Sequence, residues 1–238
     1  NAGFMPEGLP DFSDGFDVYA GWEITRKGDN SLTPEQNKLL AYGAPLFLYN
    51  DDNVDSLEST AGTDTLKEML EEWWEVTDRK SALETISWLL NEGQHAGADP
   101  ALTEIRQRGI EAITEEEKAD EDSKIGDAFT IAEFVMGVNE TTEADLPETV
   151  LAWDLVRAVN MARWAFICGY INEDEMWEAI RTTAGIAKES FNSWEEYGNS
   201  FAVGRGIWRG ETDDYETADE VVGALLNKED SPWKAIEW

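Results

Sequence analysis

The 238 residues carry 51 Asp and Glu against 18 Lys and Arg, a formal net charge of -33. Such a field repels nucleic-acid phosphates and anionic bilayers, so DNA, RNA and membrane surfaces are not expected partners; a basic protein or peptide is. Hydrophobic residues make up 42%, with 11 Trp, which allows a sizeable core in one large domain or two small ones.

One cysteine, Cys168, excludes an internal disulfide and fits a reducing, cytoplasmic setting. No apolar run reaches the ~18 residues of a membrane span. The first residue is Asn, so Asn1 and Ala2 read as a cloning remnant or as the new start left by removal of a leader.

Residues 1–31 are rich in Gly, Pro and Asp, show no period, and read as an arm. The helical domain is expected over 32–238. In "LTPEQ", Thr33 caps a helix, Pro34 suits its first position, and Gln36 completes a capping box. That helix stops near Gly43, and "APLFLYN" (44–50) reads as a short buried extended segment. Leu66, Met69, Leu70, Trp73 and Trp74 recur at helical spacing. Asp78 and Ser81 open the next helix, with Leu83, Ile86, Leu89 and Leu90 on one face and Gly93 as its stop. Asp99, with Pro100 behind it, is expected to cap "ALTEIRQRGIEAI". The charged run "TEEEKADEDS" (114–123) is the candidate subdomain boundary. "IGDAFTIAEFVMGV" is helical again.

Pro147 is expected to open a helix running to Gly169, and Asn172 caps the one after it. Ser193 with Glu196 forms a capping box for "WEEYGNSFAVGRGIW". Thr217 is expected to begin "ADEVVGALL", and "SPWKAIEW" closes the chain. The fold class is all-α, with about eight or nine helices.

"AWDLVRAVNMARW" (152–164) is apolar nearly all round, which marks a central helix, yet it carries four polar residues. Asp154, Arg157, Asn160 and Arg163 form an i, i+3 row in which neighbours can touch. Asp154 is the natural partner of Arg157, and Glu195 or Glu196 that of Arg163. The row is either an internal network that fixes how helices meet, or a cleft whose arginines hold a carboxylate or phosphate. Arg205, on an apolar helix with Phe201, Ala202 and Trp208, either joins Asp154 and Glu195 or faces that cleft.

The ordered elements Trp153-Asp154-x-x-Arg157, Ala162-Arg163-Trp164, Gly169-Tyr170, Ser193-Trp194-Glu195-Glu196, Gly204-Arg205 and Ser231-Pro232-Trp233 resemble a bacterial domain family of unknown function, numbered 1266. The resemblance spans roughly Leu32 to Trp238, and it implies no activity. The family would place a Gly-His-Arg-like element after the "WLL" helix. Here Gly93, Gln94 and His95 displace the histidine by one position.

The remaining features read as architecture. His95 bonds the last carbonyls of a stopped helix, Cys168 is a core thiol, and Gly204 and Gly206 mark close helix contacts rather than a phosphate loop. The tryptophans at helix-face positions read as core. No His-Glu-x-x-His or Cys-x-x-Cys spacing occurs, so neither metal nor cofactor is expected. The first functional reading is a non-enzymatic module that recognises a basic partner. The second is an enzyme or small-anion receptor built on Arg157, Arg163 and Arg205 with Asp154 and Glu195; the third is a network that only holds the fold. Arginines lining an open concavity would favour the second, and arginines sealed by carboxylates would disfavour it.

Overall fold

The most apolar stretch of the chain becomes its central helix. A computed structural model of the protein describes residues 18–238. In it α8 (Leu151–Ile167) is buried at every position from Ala152 to Ala165, so all its polar side chains must find partners inside the protein. Around it pack α2 (Ala44–Tyr49), α4 (Arg79–Asn91), α9 (Glu173–Ser190) and α10 (Trp194–Arg209). A second layer pairs α5 (His95–Arg108) with α7 (Ile125–Asn139), and α10 with α11 (Thr212–Asn227). The set is completed by α1 (Pro34–Ala41), α3 (Thr63–Trp74), α6 (Glu115–Lys118) and α12 (Pro232–Ala235). Among the described residues no strand forms, only an isolated bridge between Thr25 and Asn53. The protein is all-α.

Among the described residues, local chemistry explains half of the α-helix starts. Thr33 and Gln36 form the reciprocal capping box of α1, Asp78 and Ser81 that of α4, and Asn172 and Glu175 that of α9. Ser193 caps α10 by accepting from the Glu196 amide, but the Glu196 carboxylate turns outward to the Asn192 amide, so the box is half formed.

Several boundaries differ from expectation, each for a tertiary reason. "APLFLYN" is not extended but forms α2, with Pro45 in its first turn and Ala44 to Leu48 buried; its few residues are too short for periodicity to separate helix from strand. Asp99 and Pro100 do not open α5, which starts at His95 and carries Pro100 inside it. Asp99 instead caps its neighbour, accepting from Thr149 Oγ1 (2.6 Å) and the Val150 amide (2.8 Å), and this starts α8 at Leu151 rather than at Pro147. The last long helix starts at Thr212, five residues before Thr217, because its first turns pack Tyr215 against α7 residue Phe134. The charged run 114–123 contains α6, capped by Thr114 and clamped by Arg108 on Glu117, and α5 and α7 on either side of it pack together.

Residues 1–17 of the expected arm, Asn1 and Ala2 among them, lie outside the described residues. Its remaining part has no helix but is docked: Trp22 stacks on Tyr49 at 6.1 Å and donates to Glu220. The C-terminal segment is held by indole donors, with Trp233 Nε1 on the Ala41 carbonyl, Trp194 Nε1 on Ile236 and Trp238 Nε1 on Phe191. These rings surround Tyr42 and Tyr197, whose hydroxyls burial raises in pKa, Tyr42 to about 12.

Helices α8 and α10 touch through Gly204. A Cβ there would lie 2.6 Å from Trp153 Cβ and 3.0 Å from Val150 Cβ, both on or beside a helix backbone that cannot swing away. Gly204→Ala is therefore expected to lower unfolding free energy by about 1–3 kcal/mol in urea titrations, despite alanine's better helix propensity.

Candidate functional site

The four polar residues of α8 divide into two groups with different surroundings. Arg163 is fully buried and sealed. Its guanidinium donates to Asp52 through Nη1 (3.2 Å) and Nη2 (3.4 Å), and to the Glu58 carbonyl (2.8 Å), above the Phe47 ring. Asp52 also accepts from Ser59 Oγ and the Thr60 amide, so the ion pair pins the loop between α2 and α3. The expected partners Glu195 and Glu196 lie elsewhere: both are exposed on the first turn of α10, and Glu195 joins none of these contacts. Asn160 donates to the Gly43 and Val156 carbonyls and ties α8 to the α1–α2 turn.

Asp154 is fully buried and gathers donors from two helices. It accepts from the backbone amides of Gln94 (2.9 Å) and His95 (2.8 Å), from His95 Nδ1 (2.7 Å), and from Arg157 Nη2. An ionised carboxylate only accepts, so His95 carries its proton on Nδ1. The carboxylate thus caps α5 from another helix. It lies against Gly93, whose φ of +51° and lack of a Cβ let the chain turn there. His95 is not bonding the carbonyls of the helix before it. It begins the next helix, and its bond to Asp154 raises its pKa above the ordinary 6.5, against burial.

Asp154 and Arg157 form the second group, and Arg157, together with Arg205 of α10, lines an open cleft of 1080 Å³. Arg157 is 6% exposed. It bonds Asp154 and, through Nε, the Trp153 carbonyl, with its guanidinium 4.4 Å from the Trp153 ring and 5.5 Å from Trp74. Burial pushes this guanidinium below the usual arginine range, with Asp154 opposing the shift and the nearby Arg205 charge adding to it. Arg205 is 9% exposed and sits 4.5 Å from the Tyr49 ring and 5.6 Å from Trp153. Its one carboxylate, Asp214, stands 3.8 Å away and is already held by Arg209 at 3.0 Å on both oxygens. Arg205 Nε and Trp153 Nε1 are buried with no hydrogen-bond partner among the described residues, as are Arg163 Nε and Arg106 Nε; Arg205 differs from Arg163 in that its terminal nitrogens also lack a bonded acceptor.

The walls are aromatic. Trp73, Trp74 and Trp88 face Trp153, Trp164, Trp208 and Tyr49 across the cleft. Trp73 is 77% exposed, so the reading of the helix-face tryptophans as core fails at this position. The sequence signal was available: adjacent Trp73 and Trp74 stand 100° apart on a helix, and a narrow buried stripe cannot take both. Tyr49, Asp52 and Asp214 carried no such signal, since they reach the arginines from distant segments. Glu72, Glu75 and Glu84 line the mouth, all exposed. The arrangement thus has a buried cationic floor, aromatic walls and an acidic rim. Cys168, at the far end of α8, is buried, and burial raises its thiol pKa, which suits a core thiol.

With this geometry in hand, the comparisons with known proteins give a family but no activity. The family model described as protein of unknown function (DUF1266) matches residues 69–238, and the chain belongs to that family. The likeness expected from Leu32 to Glu68 lies outside the matched range. No curated protein and no solved structure matches the chain.

The ion pairs set two expected stability outcomes. Arg163→Leu leaves Asp52 buried without its counter-charge and is expected to cost about 3–5 kcal/mol, whereas the Asp52→Asn/Arg163→Leu double variant costs less than the two single changes summed, as read from a urea double-mutant cycle. His95 has a folded-state pKa raised above its unfolded 6.5, so its charged pair with Asp154 contributes fully below that pH and is lost as pH rises through the raised value. The stability gap between the parent and His95→Gln is therefore widest on the acid side of 6.5, above the carboxylate range, and narrows with rising pH across an unfolding series.

Proposed function

We propose that the protein is a binding module whose cleft takes an anionic group, a carboxylate or a phosphate, carried on an apolar or aromatic body. The observation that carries this reading is Arg205. A buried guanidinium normally has a carboxylate and satisfied donors, because desolvating it unpaired costs several kcal/mol. Arg205 has a carboxylate only at 3.8 Å, already taken by Arg209, and among the described residues its guanidinium donates no hydrogen bond within bonding distance, unlike that of Arg163. An incoming anion supplies the missing acceptor, and its aromatic body stacks on the tryptophan walls. Three of the 18 cationic side chains, Arg157, Arg205 and Arg209, line this cleft in a chain of net charge -33. Chance placement on an acidic surface does not favour such a concentration.

Binding is preferred to catalysis because the lining cations are arginines, which neither give nor take protons near neutral pH. The titratable His95 is occupied in capping α5 through Asp154. Recognition of a basic partner is the second reading, favoured by exposed Glu72, Glu75 and Glu84 around exposed Trp73. Nucleic acid has no part in either reading, given the charge, and both suit a cytoplasmic protein with one buried thiol. Among the described residues no helix is long and apolar enough to cross a membrane.

The test uses 3-phenylpropionate, phenyl phosphate and phenethylamine in thermal unfolding and tryptophan-fluorescence titrations. The anions raise the melting temperature saturably and the amine does not; at a hundredfold excess over Kd the gain is about 2.7 kcal/mol. Arg205→Met abolishes that gain and leaves the free protein as stable as the parent or more so, because it removes a buried charge without orphaning Asp214. A free-state loss of several kcal/mol in Arg205→Met, with no anion response in the parent, would make Arg205 a structural residue.

A further inference from the structure

Accepting the anion-binding floor, we infer that the natural ligand is the C-terminal end of a peptide or protein: its free carboxylate sits at Arg205 and Arg157, and a basic residue a few positions upstream meets the glutamates of the rim. Three features lead here. The floor favours a single negative charge. Asp154 already takes up Arg157, and Asp214 takes up Arg209, so what remains unmatched is close to one cation, at Arg205. A monoanionic carboxylate balances that, whereas a phosphate dianion would leave excess negative charge buried beside two aspartates.

The mouth has the opposite sign. Glu72 and Glu75 at the end of α3 and Glu84 on α4 are exposed and line the same cleft; none of the three pairs with the cleft arginines, Glu84 stands 3.8 Å from exposed Lys80, and the exposed Arg209 on the lining is spent on Asp214. A ligand entering between them meets three carboxylates before the buried Arg157 and Arg205, with the one exposed lining arginine, Arg209, already neutralised by Asp214, which favours a ligand whose two ends differ in charge. Nucleotides and other polyanions are disfavoured at the entrance, and a simple aryl acid leaves the rim unused. The cleft volume of 1080 Å³ lies just above the range for small-molecule sites, roughly 300–1,000 Å³, which suits several residues of chain rather than one small acid.

The third feature is the wall between the two poles. Trp73 and Trp88 stand partly or largely exposed beside the rim, and Trp74 and Trp153 flank the floor. Such a wall accepts apolar side chains, and the cation of an upstream Lys or Arg can lie over an indole face on its way to a glutamate.

The experiment titrates Trp fluorescence with four synthetic tetrapeptides: Lys-Ala-Ala-Phe and Glu-Ala-Ala-Phe, each as free acid and as C-terminal amide. The lysine free acid is expected to bind tightest. Amidation weakens it by about tenfold or more, ~1.4 kcal/mol, and Arg205→Met removes that difference. Replacing its Lys by Glu weakens it by a similar factor, and a Glu72→Gln/Glu75→Gln/Glu84→Gln variant removes that second difference. A control variant, Glu111→Gln/Glu116→Gln/Glu121→Gln, makes the same change in net charge at exposed positions away from the cleft and leaves the Lys-to-Glu ratio intact. If free acids beat amides but Lys and Glu peptides bind alike, the peptide-end inference falls while the anion floor stands. An amide bound as tightly as its acid overturns both. A control variant that erases the Lys preference as fully as the rim variant assigns it to the overall field and also overturns the inference.

Discussion

One buried carboxylate organises the centre of this protein. Asp154 sits in the first turn of α8 with no solvent contact, and the free energy of burying it is recovered only because four donors converge on it: two backbone amides at the start of α5, the His95 ring and the Arg157 guanidinium. Through those bonds it sets where α5 begins, and Gly93 permits the turn that brings the two amides within reach. The relation is reciprocal, because Asp99 of α5 caps the start of α8. Two helices therefore cap each other's starts with side chains from their own first two turns. Moving either helix along its axis would orphan a carboxylate and several amides together, which is why the register between them is sharply defined.

The same carboxylate shapes the cleft. By holding one end of the Arg157 guanidinium it presents the rest toward the tryptophan walls, and it leaves no spare negative charge for Arg205. A protein with this much surface acid could easily have placed a carboxylate closer to Arg205. It places aromatic faces there instead, Tyr49 and Trp153, which stabilise a cation by weaker, non-neutralising attraction. Arg163 shows the opposite arrangement. That arginine, one helical turn and a half further along, has a carboxylate at hydrogen-bonding distance, a carbonyl and no access to solvent, and it holds a loop in place. Burial alone does not separate the two roles, since all three arginines are at most 9% exposed; the number of donors already paired does.

The family pattern looks different once these roles are known. Of the elements that carry the resemblance, Asp154, Arg163, Gly204 and Trp233 are spent on helix capping, loop anchoring, helix contact and the C-terminal latch. Trp153, Arg157, Trp164, Arg205 and Trp208 line the cleft. The acidic rim and exposed Trp73 complete that cleft within the matched part of the chain, whereas Tyr49, which supports Arg205, comes from outside it.

What the sequence determined by itself was local. Capping boxes at Thr33, Asp78 and Asn172 depend on residues three apart, the central helix on continuous apolarity, and the Asp154–Arg157 contact on an i, i+3 spacing, so all were legible from the chain alone. Tertiary structure decided whatever required a partner from a distant segment. Asp52 rather than Glu195 meets Arg163 across 111 residues, and Asp154 rather than Asp99 caps α5 across about 60. The cleft depends on the approach of α3 and α4 to α8 and α10. Sequence spacing could state that Arg157 and Arg205 needed partners; which acceptors came near, and which were already taken, was settled by helix packing, because the stability of a buried charge depends on the few ångströms around it.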